Sequence, residues 1–453
     1  MNLRMPPLGK PYLGGHFAPV ADEVTGFDLT VRGTLPVELN GRYVRNGHNP
    51  KPGDVPTHWF LGSGMVHGIR LRAGRAEWYR NRWVRTPAPD GASPRGEDGA
   101  VDPTVSVAGT HIVEHGGRLL ALQDSDVPFE MTAELETVGP HDFAGRLTTT
   151  MTAHPKRDPL TGELHFFGHS PFPPFLTYYV ASAAGRITRT EVIPGAGPSL
   201  MHDFGLTEHH VVWPDLPVVF NPAEHSGVPY RWSRSYAPRI GVMPRSGPAE
   251  ATWFDVAPGM VLHVANAYED ARGRIVLEGS RFDRASWESS WKWWVGAPGY
   301  PDTPLIGAIR HRWILDPISG VAGEEDLDSL VTDFPTVDAR RLGRPHRYCY
   351  AQAFPGAGLH EYAIVKYDAS TGERQVAGQG PGRMPGEAVF VPAADGTAED
   401  DGYLLTVISD LVRDASELLV LDARDVTAAP VATVELPRRV PAGMHGSWFP
   451  DRV

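Results

Sequence analysis

The sequence predicts an all-β fold, and three observations favour this class. Its 49 glycines and 43 prolines are spread along all 453 residues, as expected for many short strands joined by turns. Short apolar segments recur between these turn residues. No helical periodicity longer than about two turns and no alternation of strands with helices is visible, which disfavours a parallel sheet.

Nine apolar segments have the length and composition of β-strands. They are residues 117–123, 162–170, 209–213, 274–282, 306–315, 360–368, 388–393, 402–410 and 417–423. Gly, Pro or Asp bounds most of them and supplies the dihedral angles of turns. Two connections, DPLTGELH (158–165) and DASTGERQ (368–375), have the pattern of hairpin loops of about three to five residues with a left-handed glycine.

The chain is long for a single core, yet no linker divides it. We therefore expect residues 1–453 to form one domain. A pair of sandwiches, a large barrel and a β-propeller are the candidate architectures. The length and the even spread of hairpins favour the propeller, which protects its strand edges by radial repetition. No fixed sequence period is apparent, so repetition does not predict the number of blades.

The composition narrows the classes of partner. The formal net charge is −12 and no cluster of Lys and Arg is long, so no nucleic-acid partner is expected. The single cysteine, Cys349, excludes an intrachain disulfide and fits a reducing compartment. Neither a secretory signal nor an apolar run of about eighteen residues is visible. We expect a soluble, cytoplasmic protein and leave peripheral membrane contact open; the oligomeric state is not predicted.

Four of the 19 histidines, His154, His202, His263 and His445, are candidate metal ligands. Their spacing is far too wide for a zinc finger or an HExxH helix. Such dispersed ligands are reasonable if each comes from a different blade and points into a central channel. Four neutral imidazoles suit iron(II), copper or zinc, and oxygen chemistry would favour iron. Taken singly, each histidine is more typical of a turn or core residue.

The sequence resembles the carotenoid cleavage oxygenase family, which includes stilbene-cleaving dioxygenases, over essentially its whole length. The similar segments are GRYVRNGHNP (41–50), HWFLGSGMVHGIRL (58–71), GTHIVEHGGRLLALQD (109–124), AHPKRDPLTGELHFFGHS (153–170), MHDFGLTEHHVVW (201–213), HVANAYED (263–270), GRPHRYCY (343–350), PGEAVFVP (385–392) and MHGSWFPD (444–451).

This resemblance implies a seven-bladed β-propeller with a dome of loops and short helices over an iron(II) site. It implies that the four histidines bind the iron and that a hydrophobic tunnel leads to it. The implied reaction adds O2 across a conjugated C=C bond and releases two carbonyl products. The implied substrate is an apocarotenoid or a related hydrophobic, aromatic alkene.

The resemblance also implies supporting residues around the metal. Carboxylates that hold three of the histidines match Asp124, Asp333 and Glu387, and the first two are aspartates where the family has glutamates. Thr110 matches a threonine beside an open coordination position. Gln123 stands where stilbene-cleaving relatives have a lysine, and without that ammonium a phenolate cannot be stabilised by charge.

The sequence gives less information about the residues that contact the substrate and about the role of the departures from the family pattern. The candidate lining residues are Phe60, Gln123, Phe129, Phe204, Trp448 and Phe449. The departures without a mechanistic account are His48, Leu61 and Ser63. Two aromatic stretches, residues 215–222 and 287–300, could border a tunnel mouth or form an apolar surface. Three alternative functions stay open. The protein could be a dioxygenase that cleaves a stilbene or another phenylpropanoid alkene, a retinoid-type isomerase or a non-catalytic propeller scaffold.

Overall fold

The computed structural model describes residues 10–87, 102, 105–124, 126–224, 228–298, 307–356 and 359–451. Strands dominate these residues. The first sixteen are β1 (Thr25–Phe27), β2 (Val31–Gly33), β3 (Gly41–Arg45), β4 (Met65–Arg72), β5 (Arg75–Trp83), β6 (His111–His115), β7 (Arg118–Leu122), β8 (Phe129–Met131), β9 (Thr137–Pro140), β10 (Lys156–Arg157), β11 (Leu164–His169), β12 (Leu176–Ala181), β13 (Ile187–Val192), β14 (Gly205–Leu206), β15 (His210–Asp215) and β16 (Val218–Phe220).

The second sixteen strands are β17 (Tyr230–Trp232), β18 (Arg239–Pro244), β19 (Thr252–Asp255), β20 (Met260–Glu269), β21 (Ile275–Phe282), β22 (Ile309–Asp316), β23 (Val321–Thr336), β24 (Tyr348–Ala353), β25 (Ala363–Asp368), β26 (Arg374–Gly378), β27 (Arg383–Pro385), β28 (Val389–Pro392), β29 (Gly402–Asp410), β30 (Ala415–Asp422), β31 (Ala432–Glu435) and β32 (Gly446–Pro450). The α-helix is α1 (Arg284–Trp294), and short 3-10 helices span Pro11–Leu13, Gly15–Phe17, Trp59–Leu61 and Ala339–Arg341.

Most sheets are built from strands that follow one another along the chain and pair antiparallel. They have the orders β6-β7-β8-β9, β10-β11-β12-β13, β14-β15-β18-β19, β16-β17 and β20-β21-β22-β23-β24-β25-β26. The long strand β23 belongs to two neighbouring groups, because its first part pairs with β22 and its last part with β24. Local hairpins of this kind confirm the all-β prediction.

The two remaining sheets join the ends of the chain. The C-terminal strand β32 pairs with β3 in the order β1-β5-β4-β3-β32, and the early strand β2 pairs with β31 beside β30 and β29. These pairings connect sequence positions that are hundreds of residues apart. The beginning and the end of the described chain are therefore held in the same two sheets.

All nine predicted strand segments contain an observed strand. Both predicted hairpin loops are also confirmed, because β10 pairs with β11 and β25 with β26 around them. Their glycines, Gly162 and Gly372, have φ of 71° and 74°, in the left-handed region that favours glycine. The turn residues and the apolar segments were therefore sufficient to predict these strands and hairpins.

The helix α1 contradicts the expectation that no helix exceeds about two turns, since it has 11 residues. Its first turn is capped by Asp283, whose carboxylate accepts the Ser286 N–H at 2.8 Å. Trp287, Trp291 and Trp294 recur at the spacing of one helix face. No helix of the described chain has both the length and the apolar character needed to span a bilayer.

The aromatic residues of α1 are largely buried and are not an exposed apolar surface. Trp293 has no exposed area and packs edge-on against Tyr12, Phe17 and Trp59, at centroid distances of 6.3, 4.9 and 5.4 Å. The helix is thereby fixed to the N-terminal segment. Residues 299–300 of the stretch considered above lie outside the described residues.

We expect the Trp293→Ala substitution to lower the free energy of unfolding by about 3–5 kcal/mol, because it leaves a large cavity in this aromatic cluster. Urea unfolding followed by circular dichroism measures the change. The matched variant Trp253→Ala removes a half-buried tryptophan stacked on Arg239 and should cost clearly less. Equal losses in the two variants would contradict the role assigned to the Trp293 cluster.

Candidate metal centre and its cavity

The four predicted histidines come from different sheets and meet at one place. His263 lies within β20, whereas His154, His202 and His445 lie just before β10, β14 and β32. The strand order places these four elements in four sheets. The dispersed spacing in the sequence is thus converted into proximity by the tertiary fold.

Distances between the imidazoles define the centre. Ring nitrogens of His154, His263 and His445 lie within 4.8 Å of one another. His202 is not part of this mutually close set, but its Nε2 lies 2.9 Å from Nε2 of His154. Its ring centroid is 4.5 Å from that of His154 and 5.5 Å from that of His263. We regard His202 as part of the same group because it contacts one member directly.

Three of the imidazoles each contact one of the three carboxylates that the resemblance implies, which shows which carboxylate belongs to which histidine. Nδ1 of His202 lies 3.1 Å from Asp124 Oδ2, and Nδ1 of His263 lies 2.8 Å from Asp333 Oδ1. Nδ1 of His445 lies 3.1 Å from Glu387 Oε1. A carboxylate that accepts the Nδ1–H selects the tautomer whose Nε2 is free to bind a metal. The two aspartates therefore reach their histidines directly, without an intervening water.

The backbone of β23 explains how the shorter Asp333 reaches His263. Its register with β24 shifts between Asp333 and Thr336, and Phe334 adopts a left-handed φ of 54°. In a regular strand, adjacent side chains point to opposite faces. Here the carboxylate of Asp333 and the ring of Phe334 both contact His263, the ring at a centroid distance of 4.8 Å. Such a conformation costs about 1–3 kcal/mol and is typical of functional sites.

Further hydrogen bonds connect the histidine segments to one another. The Thr152 hydroxyl donates to the His202 carbonyl at 3.0 Å and accepts the His154 N–H at 3.1 Å. Asp203 is buried and accepts the Val264 N–H at 2.8 Å, which fixes the strand beside His263. The sequence interpretation missed both residues, although Asp203 follows a candidate ligand directly.

Burial and neighbouring charges set the protonation of these rings. Burial, followed by the neighbouring imidazoles, holds the pKa of His154 well below its usual value. Burial also lowers the pKa of His445, and Glu387 partly opposes this effect. For His263 burial acts downward, but the carboxylates of Asp333, Asp203 and Glu387 together outweigh it and raise the pKa. A metal cation that binds here therefore competes with a proton for His263, whereas the rings of His154 and His445 are already neutral.

The donor set fits a divalent metal ion. Two nitrogens bound at right angles at about 2.1 Å from one ion lie about 3 Å apart, and the observed His154–His202 separation is 2.9 Å. Nε2 of His445 is buried and has no hydrogen-bond partner among the described residues. A buried donor or acceptor without a partner is costly. A bound cation would satisfy this nitrogen and complete the centre.

A fifth histidine, His111, lies close to the group but is unsuited to bind the metal. Its ring centroid is 5.2 Å from that of His445. However, Nδ1 lies 2.9 Å from the Ala153 carbonyl and Nε2 lies 3.1 Å from the Ser447 hydroxyl. Both ring nitrogens are therefore engaged. Burial lowers the pKa of His111 to about 4, so this ring is neutral at physiological pH.

The metal centre forms one wall of a cavity of about 340 Å³. Its lining is mainly apolar and includes three tryptophans of α1. Polar side chains also line it, among them Thr110, Gln123 and Asp333. Pockets of this size and composition are typical of sites for small hydrophobic ligands.

Of the six predicted lining residues, Phe60 and Gln123 line the cavity. The structure places the other four in hydrophobic clusters of the sheets and not among the residues that line this cavity. Phe129 and Phe449 pack in one core cluster, and Trp448 packs against another. Phe204 stacks on Trp213 at a centroid distance of 5.4 Å. Strand residues alternate between faces, so an aromatic near a ligand in sequence need not share its side.

Gln123 and Thr110 form a paired polar group in the cavity wall. The Thr110 hydroxyl donates to Gln123 Oε1 at 2.9 Å, and Gln123 Nε2 donates to the Phe60 carbonyl at 3.2 Å. The Thr110 carbonyl accepts the His445 N–H at 3.2 Å. Thr110 is thus linked to one candidate ligand, as expected for a residue beside the metal.

The structure supplies a physical role for the unexplained departures. His48 Nδ1 lies 3.0 Å from the Gly62 carbonyl, and the Ser63 carbonyl accepts the Asn49 N–H at 2.7 Å. These contacts hold the loop that carries Phe60 against the chain around His48. Leu61, on the same loop, lines the cavity.

Comparisons with known proteins agree with this architecture. The profile of the RPE65 family, described as retinal pigment epithelial membrane protein, matches residues 17–450. The chain is 38% identical to a carotenoid cleavage oxygenase of Mycobacterium tuberculosis, over 97% of this chain and 98% of that protein. Cobalt-substituted Synechocystis apocarotenoid oxygenase is similar in structure, with a TM-score of 0.83, 25% identity and coverage of 98% and 99%. Pseudomonas brassicacearum lignostilbene dioxygenase has a TM-score of 0.82, 27% identity and coverage of 97% and 98%.

Proposed function

Because the chain belongs to the RPE65 and carotenoid cleavage oxygenase family, we propose that it is an iron(II)-dependent, alkene-cleaving dioxygenase. It cleaves a conjugated C=C bond of an apocarotenoid or a related hydrophobic, aromatic alkene with O2 and releases two carbonyl products. The observation that carries this proposal is the convergence of the four imidazoles beside an apolar cavity. Residues 1–453 serve this function as one domain.

In this proposal His154, His202, His263 and His445 hold the iron, and no carboxylate of the chain binds it. Iron(II), when bound, supplies the redox chemistry through which O2 reacts with an alkene. Asp124, Asp333 and Glu387 orient three of the imidazoles. Thr110 lies in the cavity wall, where it would limit the space beside a bound metal.

The apolar wall binds the alkene and excludes water from it. Trp291 and Trp294 of α1, together with Phe60 and Phe354, offer broad hydrophobic surfaces around the cavity. Holding the reacting bond close to the metal raises the rate by restricting its position and orientation. We assign no general acid or base among the lining residues.

We also propose that the sheets form a seven-bladed propeller around the metal. Seven groups of strands support this count if the long sheet is divided at β23, where the pairing changes from β22 to β24, and the two-stranded sheet β16-β17 is not counted as a blade. The pairing of β32 with β3 and of β2 with β31 would close the ring. The helix α1 and the 3-10 helix at Trp59–Leu61 contribute to the dome over the metal.

The activity is tested with protein that is purified without oxygen and loaded with ferrous ions. We expect about one iron per chain and, with O2, two carbonyl fragments from at least one member of a panel of apocarotenoids and stilbenes, detected by mass spectrometry. Protein loaded with zinc is the matched control, because zinc occupies similar ligands without redox chemistry. Iron far below one equivalent that added ferrous salt does not restore would favour a non-catalytic scaffold instead.

Two enzymatic alternatives predict other products in the same assay. A retinoid-type isomerase would use the metal as a Lewis acid and return a product of unchanged chain length. Preferential cleavage of stilbenes is supported by the similarity to a lignostilbene dioxygenase. It is opposed by Gln123 at the position of the lysine, since the amide provides no positive charge.

For the location we propose the cytoplasm, because the single cysteine, Cys349, is a buried free thiol that suits a reducing compartment. Contact with a membrane surface would involve Phe172, which lines the cavity and is 51% exposed.

A further inference from the structure

Most polar side chains in the cavity wall already have protein partners. Thr110 and Gln123 bond to each other, and Asp124 and Asp333 bond to imidazoles. Thr110, Gln123 and Asp333 therefore have limited capacity left for a ligand, whereas Asp124 holds His202 through Oδ2 and keeps a buried Oδ1 without a hydrogen-bond partner among the described residues. Asp126 differs from them, because it lines the same cavity without holding a histidine.

Asp126 is buried, with 7% of its surface exposed. Its Oδ2 accepts the Val107 N–H at 3.1 Å, and the Ser106 hydroxyl is a second neighbouring donor. An ionised carboxylate has about four acceptor sites, so part of its capacity is unused by the described residues. No cation among those residues forms an ion pair with it. Burial raises the pKa of Asp126 to about 7, as expected for a carboxyl group that lacks a positive partner.

The position of Asp126 is well fixed. Its backbone N–H donates to the Gln123 carbonyl at 3.2 Å, and its carbonyl accepts the Met151 N–H at 2.8 Å. It lies two residues after Asp124, which contacts His202. Two residues span at most about 7 Å of chain. A ligand group at Asp126 is therefore held at a defined place near the metal centre.

We propose that Asp126 determines specificity by accepting a hydrogen bond from a hydroxyl group of the substrate. This inference rests on the proposed function and adds to it a neutral alcohol or phenol as the substrate class. A buried acceptor with unused capacity gains most from a donor brought by the ligand. Asp124, Asp126 and Asp333 disfavour a ligand carboxylate or phenolate at their part of the wall, although the cavity is also lined by the guanidinium of Arg45.

Gln352 offers an internal comparison. It also lines the cavity, it is 3% exposed, and its Nε2 has no hydrogen-bond partner among the described residues. It pairs with Asp333 across β23 and β24 and therefore belongs to a different part of the wall. Removal of this amide tests whether a preference for hydroxyl groups belongs to Asp126 or to polar wall residues in general.

Binding is measured first, with ligands that lack the alkene and cannot be cleaved. Bibenzyl, 4-hydroxybibenzyl and 4-methoxybibenzyl form the phenol series, and fully hydrogenated retinol with its methyl ether forms the alcohol series. Quenching of the cavity tryptophans reports the affinity for the iron-loaded protein. We expect tighter binding of the hydroxylated member in at least one series, and the series that responds identifies the source of the hydroxyl.

Asp126→Leu should weaken binding of the hydroxylated ligand by about tenfold and leave the ether within about twofold, because the hydrogen bond to the buried carboxyl group is lost. Asp126→Asn keeps an acceptor for Val107 and should show a smaller loss, so a folding defect of the leucine variant does not end the test. Gln352→Leu should retain the preference. In turnover, both Asp126 variants should raise KM for the hydroxylated alkene with little change in kcat.

The proposal is overturned if wild-type protein binds hydroxylated and methylated ligands equally in both series, including the case of no measurable binding. It is also overturned if Gln352→Leu, but not the Asp126 variants, removes the preference. Loss of cleavage activity with an intact binding preference would reject the proposed function alone. Cleavage without the preference would reject only the role of Asp126.

Discussion

The His263→Ala protein is expected to bind iron at least about 100-fold more weakly than the wild type and to lose alkene cleavage. His263 belongs to the centre, with ring centroids 5.3 Å from His154 and 4.9 Å from His445. Its removal deletes one nitrogen donor and leaves the buried Asp333 without its histidine. Iron content after anaerobic purification and titration with ferrous ions measure this loss.

The matched control is His67→Ala, which removes a buried histidine bonded to Tyr79 at 2.8 Å and outside the metal centre. It should lower stability but retain iron in the folded protein. Circular dichroism of both variants verifies that the fold is present. Full activity and iron content in His263→Ala protein would rule out the ligand assignment.

The second large effect is expected for Asp333→Asn, which should weaken iron binding by about 10–100-fold. Asparagine keeps nearly the same shape but removes the charge that makes His263 a more basic ligand. The orienting contact, at 2.8 Å, is the shortest of the three between a carboxylate and a candidate ligand. Competition with a chromophoric chelator gives the change in affinity directly.

Asp338→Asn serves as its control. Asp338 is also buried, but it caps the 3-10 helix at Ala339–Arg341 and pairs with Arg340. Its iron affinity should stay within about twofold of the wild type, because Asp338 does not contact a candidate ligand. If Asp333→Asn and Asp338→Asn bind iron equally well, then Asp333 does not support the metal.

Local sequence features predicted the strands well, but they did not predict the helix α1. Apolar segments between turn residues located all nine proposed strands, and Gly162 and Gly372 marked their hairpins. The helix α1 was missed although its tryptophans recur at helical spacing and Asp283 is a good cap. The helix signals are present in the sequence, but a tryptophan-rich stretch is equally typical of the border of a tunnel mouth or of an apolar surface.

The candidate site was predictable only in part. The histidines and their carboxylates were predicted through the family resemblance, and the structure brings them together, although the role of the histidines as ligands stays a prediction. The residues that line the cavity were harder to predict than the histidines. Trp448 and Phe449 follow a candidate ligand within four residues, yet they pack in the sheets because β32 pairs with β3. Asp126 had no local signal that distinguishes it from a turn aspartate.

The all-β class, the hairpins and the residues that can bind a metal were predictable from the amino-acid sequence, because they depend on local conformation and on side-chain chemistry. Three outcomes required the folded chain: which nitrogens share a centre, whether the shorter aspartates reach them and which aromatic rings face the cavity. Those outcomes depend on strand register and on the local irregularity at Phe334. A shift of one residue turns a side chain to the opposite face of a sheet, and composition does not encode that shift.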